Sequence, residues 1–406
     1  MSKHQSWELA QMQSLPLKAK VAMSCHRIKG WYQEYDGKIF ISFSGGIDSR
    51  VLLHLVREVC GFTDVPAVFV NTGLEYPEIV QFVKTFENVV MLRPKMNFRQ
   101  VIEKYGYPFF SKETSEAIFY ARKYLTELEA REEALTDRQT DRQTDRQTDR
   151  QIVGFDFMAD IVGIDRRRGK QKEKTFQDLK KGNIPSKELL NMPIRVKEIT
   201  GEEGNYTQQY NKTKYKFMLD APFEVHNKCC SVMKKGPAHK YAHESGRKPM
   251  TAEMADESRN RRRVWMKYGC NGFDMKEPKS TPMAFWTKQD VLQYIKENNL
   301  NICSVYGDIV IDYEKEKQCE GQMDMFEMEH PLKTTGCDRT GCMFCGYGCH
   351  LEKPGEGRFE RMKETHPAQW SWIMKKWEEG GLGYRDIINW INEHGNMDIR
   401  TGDETE

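Results

Sequence analysis

The chain has 406 residues, enough for two or three domains, and its 62 basic against 60 acidic side chains leave a formal net charge of only +2. This balance excludes a strongly basic protein, so nucleic-acid binding would have to depend on local basic runs. No apolar run approaches membrane-spanning length and the N-terminus is polar, so we expect a cytoplasmic protein with no membrane partner. Most of the 11 cysteines lie at or after Cys229, which favours metal or redox chemistry over a disulfide framework.

Residues 1–36 have the apolar spacing of helices, and a strand, a glycine-rich turn and a helix follow in the stretch KIFISFSGGIDSRVLLHLV at 38–56. Such a junction binds anions well, because glycines let the backbone approach and the first helical N–H groups point at the ligand. The order Ser-Gly-Gly-x-Asp-Ser resembles the PP-loop of ATP pyrophosphatases and phosphoadenosine-phosphosulfate reductases. That resemblance predicts phosphate binding by Ser44, Gly45, Gly46 and Ser49. The alternative is a plain glycine turn in an ordinary strand–helix unit.

Two more strands are predicted at 67–70 and 89–92, with a helix between them that begins at Pro77. Strands that alternate with single amphipathic helices predict an α/β fold with a doubly wound, mostly parallel sheet. Ligands bind beyond the carboxyl ends of such strands. We therefore expect Asn71, Thr72 and Gly73, which follow the second strand, to join the nucleotide site.

Several stretches are assigned no catalytic role. Residues 136–151 repeat Thr-Asp-Arg-Gln with no apolar residue to bury, so we interpret them as a solvated insertion. The basic runs 166–170 and 259–263 are the places where a nucleic-acid backbone would dock. Residues 214–225, KYKFMLDAPFEV, are interpreted as one or two strands returning to the sheet, and apolar spacing at 370–377 and 387–391 predicts two helices near the C-terminus.

Four motifs after residue 225 resemble segments of the phosphoadenosine-phosphosulfate (PAPS) and adenosine-phosphosulfate (APS) reductase family. HNKCCSVMKKGPAHKY resembles the segment with adjacent cysteines, and KPMTAEMADESRNRR the segment that ends Glu-Ser-x-x-Arg. TPMAFWTKQDVLQYIKENNL resembles the Trp-Thr-x-x-Asp-Val helix, where Thr287 and Asp290 predict an N-terminal cap. TGCDRTGCMFCGYGCH resembles the Arg-x-Gly-Cys-x-x-Cys signature. The matching residues expected at the site are Glu257, Ser258, Arg261, Arg339, Cys342 and Cys345.

The resemblance implies a 4Fe–4S cluster held by Cys229, Cys230, Cys342 and Cys345, and such clusters do take four thiolates. A compact zinc site is the alternative. Its ligands would be Cys337, Cys342, Cys345 and Cys349, which fall within 13 residues. The zinc site leaves the adjacent Cys229 and Cys230 unexplained, which favours the cluster.

Departures from the family bear on the reaction. Family reductases carry a nucleophilic cysteine near the C-terminus, whereas no cysteine follows Cys349 here. Asn71 stands where the family has Asp, and Met254 where it has Arg. Because the arginine cation is lost, we expect weaker binding of a sulfonucleotide. A reductase would need Cys349 or Cys270 as its nucleophile, although Cys270 is otherwise interpreted as a buried neutral thiol.

We predict an N-terminal helical segment at 1–36, a PP-loop domain at 37–330 and a cysteine-rich, helical C-terminal region at 331–406. The favoured function is ATP-dependent adenylation with sulfur transfer to an acceptor such as tRNA or DNA, with Asp48 orienting Mg²⁺ or the phosphates and Arg261 neutralising developing charge. The first alternative is reduction of APS or PAPS to release sulfite, with Cys349 as nucleophile and a thiol or thioredoxin-like electron donor. The second is a non-catalytic nucleotide- or nucleic-acid-binding module with structural zinc.

Overall fold

The computed structural model describes residues 3–119, 121–122, 126, 212–314 and 330–403. The repeats at 136–151, the basic run at 166–170 and Cys319 lie outside these residues. Packing divides the chain into two compact units, Met1–Val101 with Lys228–Cys345, and Ile102–Asn227 with Gly346–Glu406. The domain bounds expected from the sequence stay a prediction, since the packing groups the residues differently. None of the described helices is both long and apolar enough to cross a membrane.

The strands and the helices are each numbered in chain order. The strands are β1 Ile39–Ser42, β2 Ala67–Val70, β3 Val89–Leu92, β4 Phe109–Phe110, β5 Lys248–Met250, β6 Asn271–Gly272, β7 Lys279–Ser280, β8 Ile309–Ile311, β9 Leu332–Thr334 and β10 Gly346–Tyr347. The helices are α1 Ser6–Gln13, α2 Leu17–Glu34, α3 Ile47–His54, α4 Pro77–Lys84, α5 Phe98–Tyr105, α6 Gly236–Ser245, α7 Arg259–Tyr268, α8 Lys288–Glu297, α9 Arg358–Thr365, α10 Pro367–Met374 and α11 Tyr384–Gly395. A π-helical turn, Leu55–Val59, continues α3.

The first unit is built on a six-stranded sheet in the order β3-β2-β1-β5-β7-β6. Neighbouring strands are parallel except β6 and β7, which are antiparallel. This confirms the predicted mostly parallel α/β fold. The central strand β1 is buried, with Ile39 and Ile41 at 0 % exposure, as its continuous apolar run predicted.

The N-terminal helix α2 is fixed to the first unit by buried polar contacts. Lys20 Nζ donates to both carboxylate oxygens of Asp290 at 2.7 Å, and both side chains are buried. Asp290 also accepts a hydrogen bond from the backbone N–H of Thr287 at 2.6 Å, so the cap predicted for α8 is confirmed. Ser24 Oγ donates to the carbonyl of Pro282 at 3.0 Å and accepts from Trp286 Nε1 at 2.9 Å. A single carboxylate therefore serves both the helix cap and a buried ion pair.

The site segments of the first unit follow the carboxyl ends of adjacent parallel strands. Residues 43–46 follow β1, and residues 71–73 follow β2 on one side of it. On the other side, residues 251–258 follow β5, and Thr287 with the start of α8 comes after β7. Because β1 has neighbours whose connections leave in opposite directions, its carboxyl end is the switch point at which doubly wound sheets bind ligands.

The second unit contains a short parallel pair, β4 with β10, together with α9, α10 and α11. Its aromatic core includes Tyr384, whose ring centroid lies 5.4 Å from that of Phe109 and 5.8 Å from that of Phe359. The cysteine-rich, helical C-terminal region of the predicted fold is thus confirmed. α10 ends at Met374, so Trp377 lies beyond the helix that its spacing predicted.

The prediction of strands at 214–225 was wrong. Thr213–Asp220 forms a 3₁₀ helix, and only an isolated bridge joins Val225 to Tyr107, within the second unit. The buried residues of this helix, Tyr215 and Met218, lie three positions apart. That spacing matches the three-residue turn of a 3₁₀ helix rather than the two-residue repeat of a strand.

Candidate functional site

The loop after β1 is held in shape by its own two serines. Ser49 Oγ donates to the carbonyl of Gly46 at 2.9 Å and accepts from the backbone N–H of Ser44 at 3.2 Å. The hydroxyls of Ser44 and Ser49 lie 3.1 Å apart, and Gly46 N–H donates to Ser44 Oγ at 3.3 Å. Ser49 is buried whereas Ser44 is exposed. The loop therefore has a fixed shape and presents Ser44 outward at the start of α3, the end of a helix that favours anions.

Gly45 is required by both its conformation and its surroundings. Its φ is +74°, a left-handed conformation that costs an L-residue about 1–2 kcal/mol. A Cβ built on it would lie 2.9 Å from the γ-methyl groups of Ile79 and Val83, both on α4. The glycine thus lets the loop lie directly against the neighbouring helix.

Asp48, in the first turn of α3, faces a group of cations. Burial raises the pKa of its carboxyl, and the positive charges of Arg339, Lys288 and Arg261 each oppose that shift. These cations come from the segment before Cys342, from the start of α8 and from α7. The fold therefore gathers positive charge from separate elements beside the loop, as a polyanion site needs.

Glu257 holds two of these cations in place. Its carboxylate forms ion pairs with Arg261 and with Arg339, and it accepts a hydrogen bond from the backbone N–H of Met254 at 3.1 Å. Ser258 caps α7 by accepting from the backbone N–H of Arg261 at 3.2 Å. Glu257 and Ser258 therefore position the arginines.

The loop after β2 is closed by a carboxylate that sequence reasoning missed. Thr72 donates to Glu75 through both its backbone N–H, at 2.9 Å, and its hydroxyl, at 2.8 and 2.9 Å. Gly73 N–H donates to Asn71 Oδ1 at 3.1 Å. The side chains of Asn71 and Thr72 thus form hydrogen bonds within the turn at 71–75, and those from Thr72 hold Glu75 in place.

Four cysteine side chains of the first unit interact with one another. Burial raises the pKa of the Cys229 thiol, and the nearby thiols of Cys230, Cys342 and Cys345 raise it further, while Lys234 opposes them. Burial likewise raises the pKa of Cys342 to about 11 against the influence of Lys234. The structure thus brings together the four residues expected to hold a cluster, although 111 residues separate Cys230 from Cys342.

Lys234 links these four thiols to the loop after β2. Burial lowers the pKa of Lys234, but Cys342, Glu75 and Cys230 together outweigh burial and raise it. Its Nζ lies 3.5 Å from Glu75 Oε1 and hydrogen-bonds to Cys342. A continuous set of polar contacts therefore runs from Thr72 through Glu75 and Lys234 to the thiols.

A zinc ion and a 4Fe–4S cluster require different arrangements of their thiol ligands. A single zinc ion needs its sulfur ligands about 2.3 Å from one point. Within the described ranges, no three His, Cys, Asp or Glu side chains are placed to hold a single ion in that way. A 4Fe–4S cluster distributes four thiolates over four irons, so its ligands stand farther apart. Four thiols that interact with one another, with a lysine beside them, are donors of the kind that a 4Fe–4S cluster takes.

The remaining cysteines named from the sequence lie elsewhere. Cys349 is a buried residue of the second unit, and its thiol donates to the carbonyl of Gly346 at 2.9 Å. Cys337 donates to the hydroxyl of Tyr76 at 3.8 Å. Cys270 is buried in the first unit, and burial raises the pKa of its thiol, as a buried neutral thiol requires. The role of Cys349 as a nucleophile stays a prediction.

Three further residues at the loop were not identified from the sequence as binding groups. Lys288 faces Asp48, and Tyr306 and Thr340 hydrogen-bond to each other through their hydroxyls at 2.7 Å. A Cβ built on Gly46 would lie 3.1 Å from Tyr306 Oη, which locates this pair beside the loop. Lys288 directly follows Thr287, the cap residue of a recognised motif, so the sequence could have indicated it as a binding residue. No motif in the sequence around Tyr306 indicates such a role.

Comparison with known proteins agrees with this geometry. The model of the phosphoadenosine phosphosulfate reductase domain matches residues 38–154 and 186–347. An uncharacterized protein of Methanocaldococcus jannaschii is 39% identical over 89 residues, which are 20% of this chain and 21% of that protein.

Two relatives with named activities are also similar to parts of the chain. Phosphoadenosine 5'-phosphosulfate reductase of Shigella dysenteriae is 30% identical over 87 residues, covering 21% of this chain and 32% of that protein. Adenosine 5'-phosphosulfate reductase of Geobacillus kaustophilus is 26% identical over 112 residues, covering 26% and 47%. The chain thus spans less than half the length of the curated relatives it matches.

Proposed function

The chain belongs to the phosphoadenosine phosphosulfate reductase family, and from that premise we propose that it binds an adenine nucleotide at the loop after β1 and uses it in sulfur chemistry. The favoured reaction is ATP-dependent adenylation of an acceptor, followed by sulfur transfer. The observation that carries this proposal is the group of three cations, Arg261, Lys288 and Arg339, around Asp48 at the carboxyl end of the central strand.

The loop supports the binding of phosphates. Ser49 fixes the loop from inside, so little conformational entropy remains to be lost when a ligand arrives. Ser44 and the first N–H groups of α3 would contact the phosphate oxygens together with Gly45 and Gly46. A rigid loop of this kind positions a polyphosphate for attack.

Asp48 supports the preference for ATP over a sulfonucleotide. A carboxylate beside the loop repels phosphate oxygens unless a cation lies between them. Mg²⁺ typically takes one or two carboxylates together with substrate phosphates, so Asp48 fits this ion. When bound, Mg²⁺ neutralises charge on the phosphate chain. Arg261 and Arg339, held by Glu257, would stabilise the charge that develops on the departing pyrophosphate.

The four interacting thiols would provide the site for the sulfur chemistry. Cys229, Cys230, Cys342 and Cys345 would hold a 4Fe–4S cluster, which supplies electron transfer or a sulfur-binding iron when present. Lys234 would balance the negative charge of the four thiolates. An acceptor such as tRNA or DNA would meet the basic start of α7, where Arg259, Arg262 and Arg263 are exposed.

Reduction of APS or PAPS is the alternative, because two similar proteins carry those activities in their names. In that reaction the Cys349 thiolate would attack the sulfur of APS or PAPS and displace the nucleotide as its 5'-phosphate, which leaves an S-sulfonate on Cys349. A thiol or thioredoxin-like donor would then release sulfite from that S-sulfonate and restore Cys349, and the donor would become a disulfide. The buried thiol of Cys349 would first have to break its hydrogen bond to Gly346.

Thermal unfolding of protein purified without oxygen separates these reactions. A ligand at a hundredfold excess over Kd stabilises the folded state by roughly 2.7 kcal/mol. We expect stabilisation by Mg·ATP, a weaker effect of APS or PAPS, and iron with acid-labile sulfide in elemental analysis. Stabilisation by APS or PAPS with release of sulfite would support the reductase instead, and absence of any response would contradict a nucleotide site.

A matched pair of variants locates the site. Arg339→Ala removes a cation that faces Asp48, whereas Arg263→Ala removes an exposed cation of α7 that does not. A charge-assisted contact contributes about 1.5–3 kcal/mol, so Arg339→Ala should weaken Mg·ATP binding about 10- to 100-fold. Arg263→Ala should leave the Kd within about twofold. Equal effects of the two variants would place the nucleotide elsewhere.

A further inference from the structure

One face of α2 carries a thiol, a cation and an aromatic ring outside the proposed nucleotide site. Cys25, Lys29 and Tyr32 lie at i, i+4 and i+7 along this helix, so they share a face. The ring of Tyr32 stacks on Phe62, with centroids 3.9 Å apart and planes inclined by 4°. This stacking fixes the segment after α3 against α2.

The π-helical turn Leu55–Val59 places a second thiol opposite that face. Cys60 caps the end of this turn, and its backbone N–H donates to the carbonyl of Leu55, five residues back, at 2.9 Å. Such turns insert one residue into a helix and occur frequently at functional sites. Cys60 lies two residues before Phe62, and its thiol lies close enough to that of Cys25 for each to shift the pKa of the other. The stacking of Tyr32 on Phe62 thus holds together two segments that each carry a thiol, Cys25 on one and Cys60 on the other.

The two thiols have different acidities. The hydrogen bond from Cys60 lowers the pKa of Cys25 to about 7, burial opposes this, and the charge of Lys29 lowers it further. The same hydrogen bond and burial raise the pKa of Cys60. Both side chains are only partly buried, so small molecules reach them. This combination of one thiolate with one neighbouring thiol is the arrangement of a reactive pair.

We propose that Cys25 and Cys60 are a redox-active pair that forms a reversible disulfide when the protein meets a peroxide. The Cys25 thiolate attacks one peroxide oxygen, the O–O bond breaks, and Cys25 becomes a sulfenic acid while the departing oxygen leaves as water after taking a proton. The Cys60 sulfur then attacks the sulfenic sulfur, and a second water leaves. Two thiols and one hydrogen peroxide give one disulfide and two waters, and a dithiol reductant reverses the change.

The disulfide would tie α2 to the end of the helix that begins at the loop after β1. It would close a loop of 34 residues between positions 25 and 60. The proposal needs neither a nucleotide nor a cluster, so it stands independently of the proposed function.

Peptide mapping tests the pair directly. The reduced full-length protein is treated with hydrogen peroxide, its free thiols are alkylated, and it is digested with trypsin. Cys25 then lies in the peptide 21–27 and Cys60 in the peptide 58–84, each with a single cysteine. We expect these two peptides to be linked, with a mass about 2 Da below the sum of the free peptides, and dithiothreitol to separate them.

Cysteine variants decide whether the assigned roles are right. Cys25→Ala should leave Cys60 reduced, whereas Cys60→Ala should stop Cys25 at the sulfenic acid, which a dimedone probe traps. The control Cys303→Ala removes a buried thiol of the same unit and should leave the linked peptides unchanged. In the wild-type protein, Cys25 should alkylate at least about tenfold faster than Cys303, whose pKa burial raises.

Two results would overturn the proposal. The first is a wild-type protein in which Cys25 accumulates as sulfenic acid without any linked peptide. The second is a wild-type protein in which Cys25 and Cys303 alkylate at the same rate and neither is oxidised. Both results come from the unaltered chain, so a variant that fails to fold does not obscure them.

Discussion

The contact between the loop after β1 and α4 allows the cost of one methyl group to be measured. Gly45 and Gly73 have nearly the same positive φ, +74° and +77°. A Cβ on Gly45 would lie 2.9 Å from the γ-methyl groups of Ile79 and Val83, whereas a Cβ on Gly73 would meet nothing within 4 Å. The pair of variants Gly45→Ala and Gly73→Ala therefore separates backbone strain from crowding.

The expected destabilisation follows from these two terms. A left-handed φ costs alanine about 1–2 kcal/mol, and both variants bear this cost. Crowding in a packed interior costs about 1–3 kcal/mol more, and only Gly45→Ala bears it, since the branched side chains of Ile79 and Val83 have few other rotamers. We expect Gly73→Ala to lower the free energy of unfolding by about 1–2 kcal/mol and Gly45→Ala by about 2–5 kcal/mol.

Urea unfolding of the two variants and the wild-type chain measures this difference. The double variant Gly45→Ala with Val83→Ala adds a sharper test, because removing the γ-methyl groups of Val83 relieves part of the crowding. Its destabilisation should fall short of the sum of the single variants by at least about 0.5 kcal/mol. Equal destabilisation by Gly45→Ala and Gly73→Ala, together with additivity in the double variant, would refute the reasoning.

Two other predictions concern stability. Lys20→Ala leaves the buried carboxylate of Asp290 without its cation, so it should lower the free energy of unfolding by about 3–5 kcal/mol in urea titrations. The control Lys18→Ala removes an exposed lysine of the same helix and should change that free energy by less than about 0.5 kcal/mol. Similar values for the two variants would show that the ion pair is not a stabilising contact. Burial lowers the pKa of His54 below its ordinary value of 6.5, so below that pH the unfolded chain takes up a proton that the folded chain does not, and stability falls. Thermal unfolding of His54→Gln should therefore depend less on pH between about pH 7 and pH 5 than that of the wild-type chain, and an unchanged dependence would argue against the assignment.

The parts of the fold that were predictable are those that local sequence determines. The strands at 39–42, 67–70 and 89–92 stand out because short apolar runs are soon followed by turn residues, glycine after the first, asparagine after the second and proline after the third. The cap of α8 was predictable because Thr287 and Asp290 satisfy each other across three residues. In contrast, 214–225 was misassigned, since short apolar runs do not distinguish a strand from a 3₁₀ turn until Tyr215 and Met218 are seen to be buried.

The contacts that sequence did not predict are those between distant segments. Cys25 and Cys60 are each unremarkable alone, and only the packing of α2 on the π-helical turn brings them together. Lys288 shares the environment of Asp48 although 240 positions separate them in the chain. Such pairs depend on the order of strands in the sheet, which no local pattern encodes.

Glu75 shows how the loops and the thiols, recognised as separate motifs, are connected. Its two carboxylate oxygens accept from Thr72 on one side and pair with Lys234 on the other. Lys234 in turn hydrogen-bonds to Cys342, one of the four interacting thiols. A buried carboxylate is stable only when its charge is compensated, so the Thr72 hydrogen bonds and the lysine are both needed to keep it there. Because the same lysine also interacts with Cys342, the charge of that cysteine is coupled through Lys234 to Glu75 and its hydrogen bonds to Thr72.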